Sequence, residues 1–161
     1  QMKFEEIRTI VRDHFTGTKI EEDNEATPRA ILIKKEALRK ILIFLRDNEK
    51  CYFDMLSCLT AIDNGPESGS MEVAYNLSSL PFEHQLMIKV EINRENPEID
   101  SVSDIWRTAE WHEREAFDLF GIKFTGNPDL RRILLPEDWE GYPLRKDYQL
   151  QEYYHGIKVE Y

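Results

Sequence analysis

The sequence predicts an α+β domain: one mainly antiparallel sheet with helices packed on one face, followed by an extended C-terminal arm. Three observations predict it. Helical and strand periodicities follow one another in the order helix, strand, helix, strand, strand, strand, helix, without the regular alternation of a parallel βαβ fold. The two clearest period-two stretches are neighbours joined by a short turn, which makes them antiparallel partners. Beyond residue 126, Pro128, Pro136 and Pro143 forbid a long helix, while apolar clusters recur between turn residues. A length of 161 residues suits one domain with a substantial core. The expected division is therefore a domain over 1–125 and an arm over 126–161.

The elements follow in order. Phe4, Ile7, Val11 and Phe15 fall at helical spacing, with Gly17 as a stop. Residues 18–25 are mostly charged and fit an exposed loop or edge strand. Ala30-Ile31-Leu32-Ile33 is a short apolar strand candidate. Leu38, Ile41, Leu42 and Leu45 share one face of a second helix over Lys35 to Asp47. Tyr52 to Ile62 reads as a strand ending at the turn Asp63-Asn64-Gly65-Pro66. Met71 to Ser79 and Gln85 to Ile92 alternate at period two and join through Pro81-Phe82. Glu95 to Asp100, containing Pro97, reads as a linker. No Pro or Gly interrupts residues 104–120, and Gly121 sits where a left-handed C-cap belongs.

That third helix carries an anomaly. Trp106, Ala109, Glu113, Ala116, Phe117 and Phe120 share a face at period 3.6, so Glu113 lies within an apolar stripe. A buried, unpaired carboxylate costs several kcal/mol or takes up a proton, so a matching cation is expected. Arg131, Arg132 and Arg145 are the nearest candidates in sequence. Glu110 to Arg114 and Arg114 to Asp118 are i,i+4 pairs on the opposite side, expected as a solvated or partner-facing ladder.

Composition removes several function classes. A net charge of −10 disfavours nucleic-acid phosphates and anionic lipid. The longest apolar run, Ile41 to Leu45, is far short of the roughly 20 residues of a membrane helix, and no secretory leader is visible at the start. Cys51 and Cys58 cannot by themselves supply the roughly four ligands of a zinc or iron–sulfur site. They read as ordinary buried thiols in a reducing compartment. His112-Glu113 opens like a zinc-protease helix, but the second histidine position is Ala116.

Three blocks carry a specific resemblance. They are Glu113-Arg114-Glu115 with Asp118-Leu119-Phe120-Gly121; Pro128-Asp129-Leu130-Arg131-Arg132-Ile133-Leu134; and Glu140-Gly141 with Pro143-Leu144-Arg145-Lys146-Asp147-Tyr148. In this order and spacing they resemble the signature of the 30 kDa subunit family of respiratory complex I, the C subunit of the bacterial NADH-quinone oxidoreductase. The match is sharp over about a quarter of the chain and looser over residues 20–105. Asn127 and Tyr142 stand where the family more commonly has His.

The resemblance implies a structural and assembly subunit in the peripheral arm of a proton-pumping NADH:quinone oxidoreductase. The chain itself would be non-catalytic and would hold no cofactor; FMN, iron–sulfur clusters and quinone would be carried by other subunits. The implied partners are the forty-nine-kilodalton-type subunit and iron–sulfur subunits. The implied place is peripheral, on the cytoplasmic side of a prokaryotic inner membrane. Glu113, Arg114, Glu115, Asp118, Arg131 and Arg132 would form structural ion pairs. Pro128, Leu130, Trp139, Tyr142, Leu144, Arg145, Lys146, Asp147 and Tyr148 would dock on partners. Other readings are the equivalent subunit of a ferredoxin-fed complex or energy-converting membrane hydrogenase, a stand-alone acid–base enzyme using Glu113, and an adaptor unrelated to respiration.

Overall fold

The computed structural model describes residues 1–159. Residues 160 and 161, the end of the expected arm, lie outside them. Helix α1 (Phe4–His14) begins where Glu6 turns back to accept the Lys3 backbone N–H at 2.7 Å, satisfying a donor the helix cannot. Its apolar spacing buries Ile7 and Val11 completely. Strands β1 (Ile20–Asp23) and β2 (Ala30–Ile33) follow, and a 3-10 turn over Lys35–Ala37 leads into α2 (Leu38–Asp47). On α2 the predicted face of Leu38, Ile41, Leu42 and Leu45 is fully buried.

Strands β3 (Met55–Asp63), β4 (Ser70–Ser79) and β5 (His84–Asn93) form an antiparallel meander. The five-stranded sheet has the order β1-β2-β5-β4-β3. Every pairing is antiparallel except β2 with β5, which is parallel because β2 lies outside the meander beside its last strand. Period-two alternation places Met71, Val73, Tyr75 and Leu77 with Ile88 and Val90 in one core beside α1 and α2. The opposite face keeps Met55, Thr60, Ile62, Gln85 and Glu91 exposed. The predicted α+β class with a mainly antiparallel sheet is the one observed.

Two features before the C-terminal segment depart from expectation. The linker over Glu95 to Asp100 contains β6 (Glu98–Asp100), which pairs in parallel with β7 (Lys123–Thr125) across helix α3 (Ala109–Phe120). Single-chain periodicity cannot register three-residue strands whose partner lies beyond a helix. Helix α3 also starts at Ala109 rather than near residue 104, because residues 103–108 form turns held by side chains. Trp106 donates its Nε1–H to the Phe53 carbonyl at 3.1 Å, and Thr108 its hydroxyl to the Leu56 carbonyl at 3.1 Å. Both bonds fasten the helix entrance to the start of β3.

Residues 126–152 carry no helix, as expected from the prolines, and no strand. A hairpin of two-residue strands, β8 (Tyr153–Tyr154) and β9 (Ile157–Lys158), follows and was not foreseen. Among the described residues, no helix is long and apolar enough to cross a membrane.

Candidate functional site

The signature residues meet where the C-terminal segment crosses α3, and three carboxylates hold it there. Asp118 accepts four hydrogen bonds at its carboxylate. It is 0% exposed, and its Oδ1 receives Arg132 Nη1 at 2.8 Å. Its Oδ2 receives the backbone N–H groups of Ile133, Leu134 and Leu135 at 3.1, 2.7 and 2.9 Å. Burial by itself would push this carboxyl up; the guanidinium and three N–H donors outweigh it and hold Asp118 below the ordinary carboxylate range. The two terminal nitrogens of Arg132 also donate to the carbonyls of Asp118, Trp139 and Gly141. A side chain with five fixed donors thereby folds the segment around itself.

Glu113 corrects the expected ion pair. It is 0% exposed, yet neither Arg131, Arg132 nor Arg145 reaches it. Three neutral donors do so instead, each at 2.7 Å: the Val102 N–H, the Ser101 hydroxyl and Asn127 Nδ2. Strand β6 runs directly into Ser101-Val102, which is why the missed β6–β7 pairing decides this site. Desolvation outweighs the three hydrogen bonds, so Glu113 titrates above the usual carboxylate range. Asn127 links Glu113 to the first turn of the C-terminal segment.

The expected charge ladder on the far side of α3 does not form. Arg114 is only 8% exposed and donates to the carbonyls of Arg131 and Arg132 at 3.2 and 3.0 Å. Segment backbone captures it because those carbonyls have no strand or helix partner. Arg131 pairs with Asp129 on the surface. Glu115 is exposed without a cation partner among the described residues, so its predicted ion pair is absent.

A third carboxylate, Asp63, was read from sequence only as part of a turn. It is almost completely buried, and it accepts Arg94 Nε at 2.7 Å, Arg94 Nη2 at 3.0 Å, the Gly65 N–H at 3.0 Å and the Lys146 N–H at 2.8 Å. Arg94 also reaches Asp147 at 2.5 Å. The Arg94 guanidinium, followed by the two N–H groups, holds Asp63 far below its ordinary value. A sequence signal existed in the paired charges of Arg145-Lys146-Asp147, but nothing local indicated their partners on β3 and just after β5.

The predicted docking residues divide. Arg145 donates to the Phe120 carbonyl at 2.7 Å and, with Arg132, flanks the Tyr142 ring at 5.0 and 5.3 Å. Trp139 donates to the Tyr148 hydroxyl at 3.1 Å. Leu130 packs on the core. Lys146 and Asp147 are spent on the Asp63 and Arg94 contacts, so these residues dock the segment on its own chain. Pro128 and Leu144 stay exposed, and so do Trp111, Leu134, Leu150, Tyr153 and Ile157, which form apolar surface on α3 and along the segment.

Among the described residues, no group of three or more His, Cys, Asp or Glu is placed to hold a metal ion. Cys51 is buried, which pushes its thiol up to about 11, so it is uncharged at neutral pH.

The comparisons with known proteins agree with this geometry. Residues 31–154 match the family described as the 30 kDa subunit of respiratory-chain NADH dehydrogenase. A relative from Chlorobium phaeobacteroides, the C subunit of an NADH-quinone oxidoreductase, is 44% identical over 94% of this chain and 92% of its own length. Its counterpart from Chloroherpeton thalassium is 48% identical over 87% of this chain, which spans 58% of that longer relative. Among solved structures, a trypsin-resistant fragment of Nqo5 superposes with a TM-score of 0.62 at 26% identity, covering 80% of this chain and all of the fragment. A chain of the membrane-bound sulfane sulfur reductase, an archaeal respiratory membrane complex, gives 0.76 at 25% identity, covering 92% and 87%. The chain belongs to the family of the 30 kDa subunit of respiratory-chain NADH dehydrogenase.

Proposed function

We propose that this chain is a structural subunit of an NADH-quinone oxidoreductase, keeping neighbouring subunits in register so that electrons pass between cofactors held elsewhere. The observation that carries the reading is the C-terminal segment. Buried carboxylates and an arginine fix its backbone, while Leu134, Leu144, Leu150 and Ile157 turn outward. An ordered backbone with outward apolar side chains has already met the ordering cost that binding otherwise incurs. On this reading the chain binds no cofactor and performs no chemistry. FMN, iron–sulfur clusters and the quinone site belong to its partners, a forty-nine-kilodalton-type subunit and iron–sulfur subunits. The protein works peripherally, on the cytoplasmic side of a prokaryotic inner membrane, with residues 126–161 as the docking arm.

A second reading is the equivalent subunit of a ferredoxin-fed complex or an energy-converting membrane hydrogenase; the likeness to a chain of an archaeal respiratory membrane complex favours a membrane assembly in either case. The test is to tag this chain in its host, extract membranes in mild detergent and identify the co-purifying subunits by mass spectrometry. Recovery of NADH-binding, forty-nine-kilodalton-type and iron–sulfur subunits together supports the first reading. Hydrogenase-type subunits select the second, and purification alone with hydrolytic activity overturns both. Leu150→Asp combined with Ile157→Asp should fold normally yet lower the recovered assembly.

A further inference from the structure

The three groups bonded to Glu113 differ in what they can accept. The Val102 N–H at Oε1 and Asn127 Nδ2 at Oε2 only donate, and the Asn127 amide is held that way round because its Oδ1 takes the Asp129 N–H at 2.9 Å. The Ser101 hydroxyl, 2.7 Å from Oε2, can donate or accept. Its oxygen also lies 2.8 Å from Ser103 Oγ, and Ser103 is half-buried. A proton on Oε2 can therefore be hydrogen-bonded to Ser101 Oγ, whose own hydrogen swings to Ser103 Oγ. Both charge states of a fully buried carboxyl are then satisfied without moving a heavy atom, and two hydroxyls join it to the surface.

The surrounding charges leave Glu113 without a dedicated counter-ion. Asp104, in the turns before α3, disfavours its ionised form, and Arg39 of α2, the cation facing it, is forked onto Asp104 at 2.7 and 2.8 Å and onto the Ser101 carbonyl at 2.6 Å. Tyr75 of β4 faces it as a neutral phenol, and Asp100 at the end of β6 adds a second negative charge nearby. On α3 itself, Arg114 is turned to the carbonyls of Arg131 and Arg132, and Glu110 meets Asn127 through its backbone carbonyl at 3.3 Å. Asp129 and Arg131 of the segment pair with each other.

One side of this site can move. Ser101-Val102 continues β6, but Asn127 belongs to a turn outside any helix or strand, closed by the Asn127 N–H to the Phe124 carbonyl at 3.2 Å and the Arg131 N–H to the Asp129 carbonyl at 3.0 Å. We propose that Glu113, Ser101 and Ser103 form a proton switch at the root of the C-terminal segment, which keeps its first turn closed while protonated and loosens it as the proton leaves. Loosening the turn admits water to the carboxylate and relieves the desolvation that opposes ionisation. Closing therefore binds a proton, so opening becomes easier as pH rises from 4.5, the ordinary carboxyl value, to the raised value of Glu113 in the closed turn. That a looser turn also weakens partner docking rests on the assembly reading above; the switch itself is a property of this chain.

The experiment follows hydrogen exchange of the Asp129 and Arg131 amides in the full chain between pH 4 and pH 8, corrected for the intrinsic pH dependence of exchange. Exchange faster than in β4 at every pH marks a local opening. In the wild type, opening should rise by up to about tenfold per pH unit above the ordinary carboxyl value and then level off, as release of one proton demands. Glu113→Gln should be flat. Ser103→Ala takes away the acceptor of the reversed Ser101 hydroxyl and so disfavours the protonated form; the rise should then level off at lower pH, whereas a merely structural serine would change the rate without moving that point. The Ser103→Ala shift decides the matter where Glu113→Gln fails to fold. A flat wild type, exchange no faster than in β4, a rise retained in Glu113→Gln, or levelling at an unchanged pH in Ser103→Ala overturns the proposal. Because exchange is measured on the chain alone, its outcome is independent of the co-purification that tests the assembly reading.

Discussion

Arg132 Nη1 lies 2.8 Å from Asp118 Oδ1, while the N–H groups of residues 133–135 converge on Oδ2 of the same carboxylate. One buried side chain on α3 therefore fixes both a guanidinium and a turn of backbone in the C-terminal segment. Asp118→Asn removes the charge while preserving shape, leaving Arg132 without its counter-ion. The expected loss is about 3–5 kcal/mol, as for breaking a buried pair from one side. It should appear in denaturant melts, together with faster tryptic cleavage between residues 126 and 152.

Glu113 and Asp118 have opposite linkage to pH. The Asp118 pKa is depressed on folding, so its contribution is present above the unfolded value near 3.8 and is lost as pH falls through the folded value. The Glu113 pKa is raised above 4.5 on folding, so its contribution is complete below 4.5 and is lost as pH rises through the folded value. Glu113→Gln cannot titrate. The stability of that variant relative to wild type should therefore increase between pH 4 and pH 8, whatever the constant offset of the substitution. A difference that is flat, or that falls with pH, would show the carboxylate to be compensated better than its neutral donors allow.

Tyr75 is fully buried on β4, and its hydroxyl has no hydrogen-bond partner among the described residues. Removing an unsatisfied buried hydroxyl relieves a desolvation cost of about 1–3 kcal/mol, offset in part by the small void left behind. Tyr75→Phe is expected to be neutral or to raise the melting temperature. A drop would reveal a hydrogen bond made by that hydroxyl in solution.

Gly121 ends α3 at φ +77°, and a Cβ placed there would approach the Tyr142 ring at 2.6 Å and Arg145 Nη2 at 2.9 Å. Gly121→Ala thus meets backbone strain, of order 1–3 kcal/mol, and also displaces the ring held between Arg132 and Arg145. Thermal melts should show a larger loss than Gly69→Ala, where φ is +64° but no atom lies within 4 Å of the new Cβ.

Much of this protein was legible in its sequence. Helical spacing of Ile7 with Val11, and of Leu38, Ile41, Leu42 and Leu45, located α1 and α2. Strict alternation located β4 and β5 with their antiparallel pairing, because a half-buried strand leaves no other pattern. The prolines after residue 126 excluded a long helix there, and the blocks around Glu113, Arg132 and Lys146 specified the family. Each of these properties resides in local periodicity, local backbone restriction or the order of a motif.

The partners of the buried charges were decided only by tertiary structure. Glu113 meets Ser101, Val102 and Asn127 rather than an arginine because β6 pairs with β7 across α3, and three-residue strands leave no periodic trace. Arg114 and Asp118 face the C-terminal segment rather than water, since a helix has no outward side until a further segment is laid on it. Asp63 meets Arg94 and Lys146 because the ends of the sheet and of the chain converge. Sequence determines which groups require partners; the distances that assign those partners come from the closing of the whole chain, when burial makes every unsatisfied donor or charge costly.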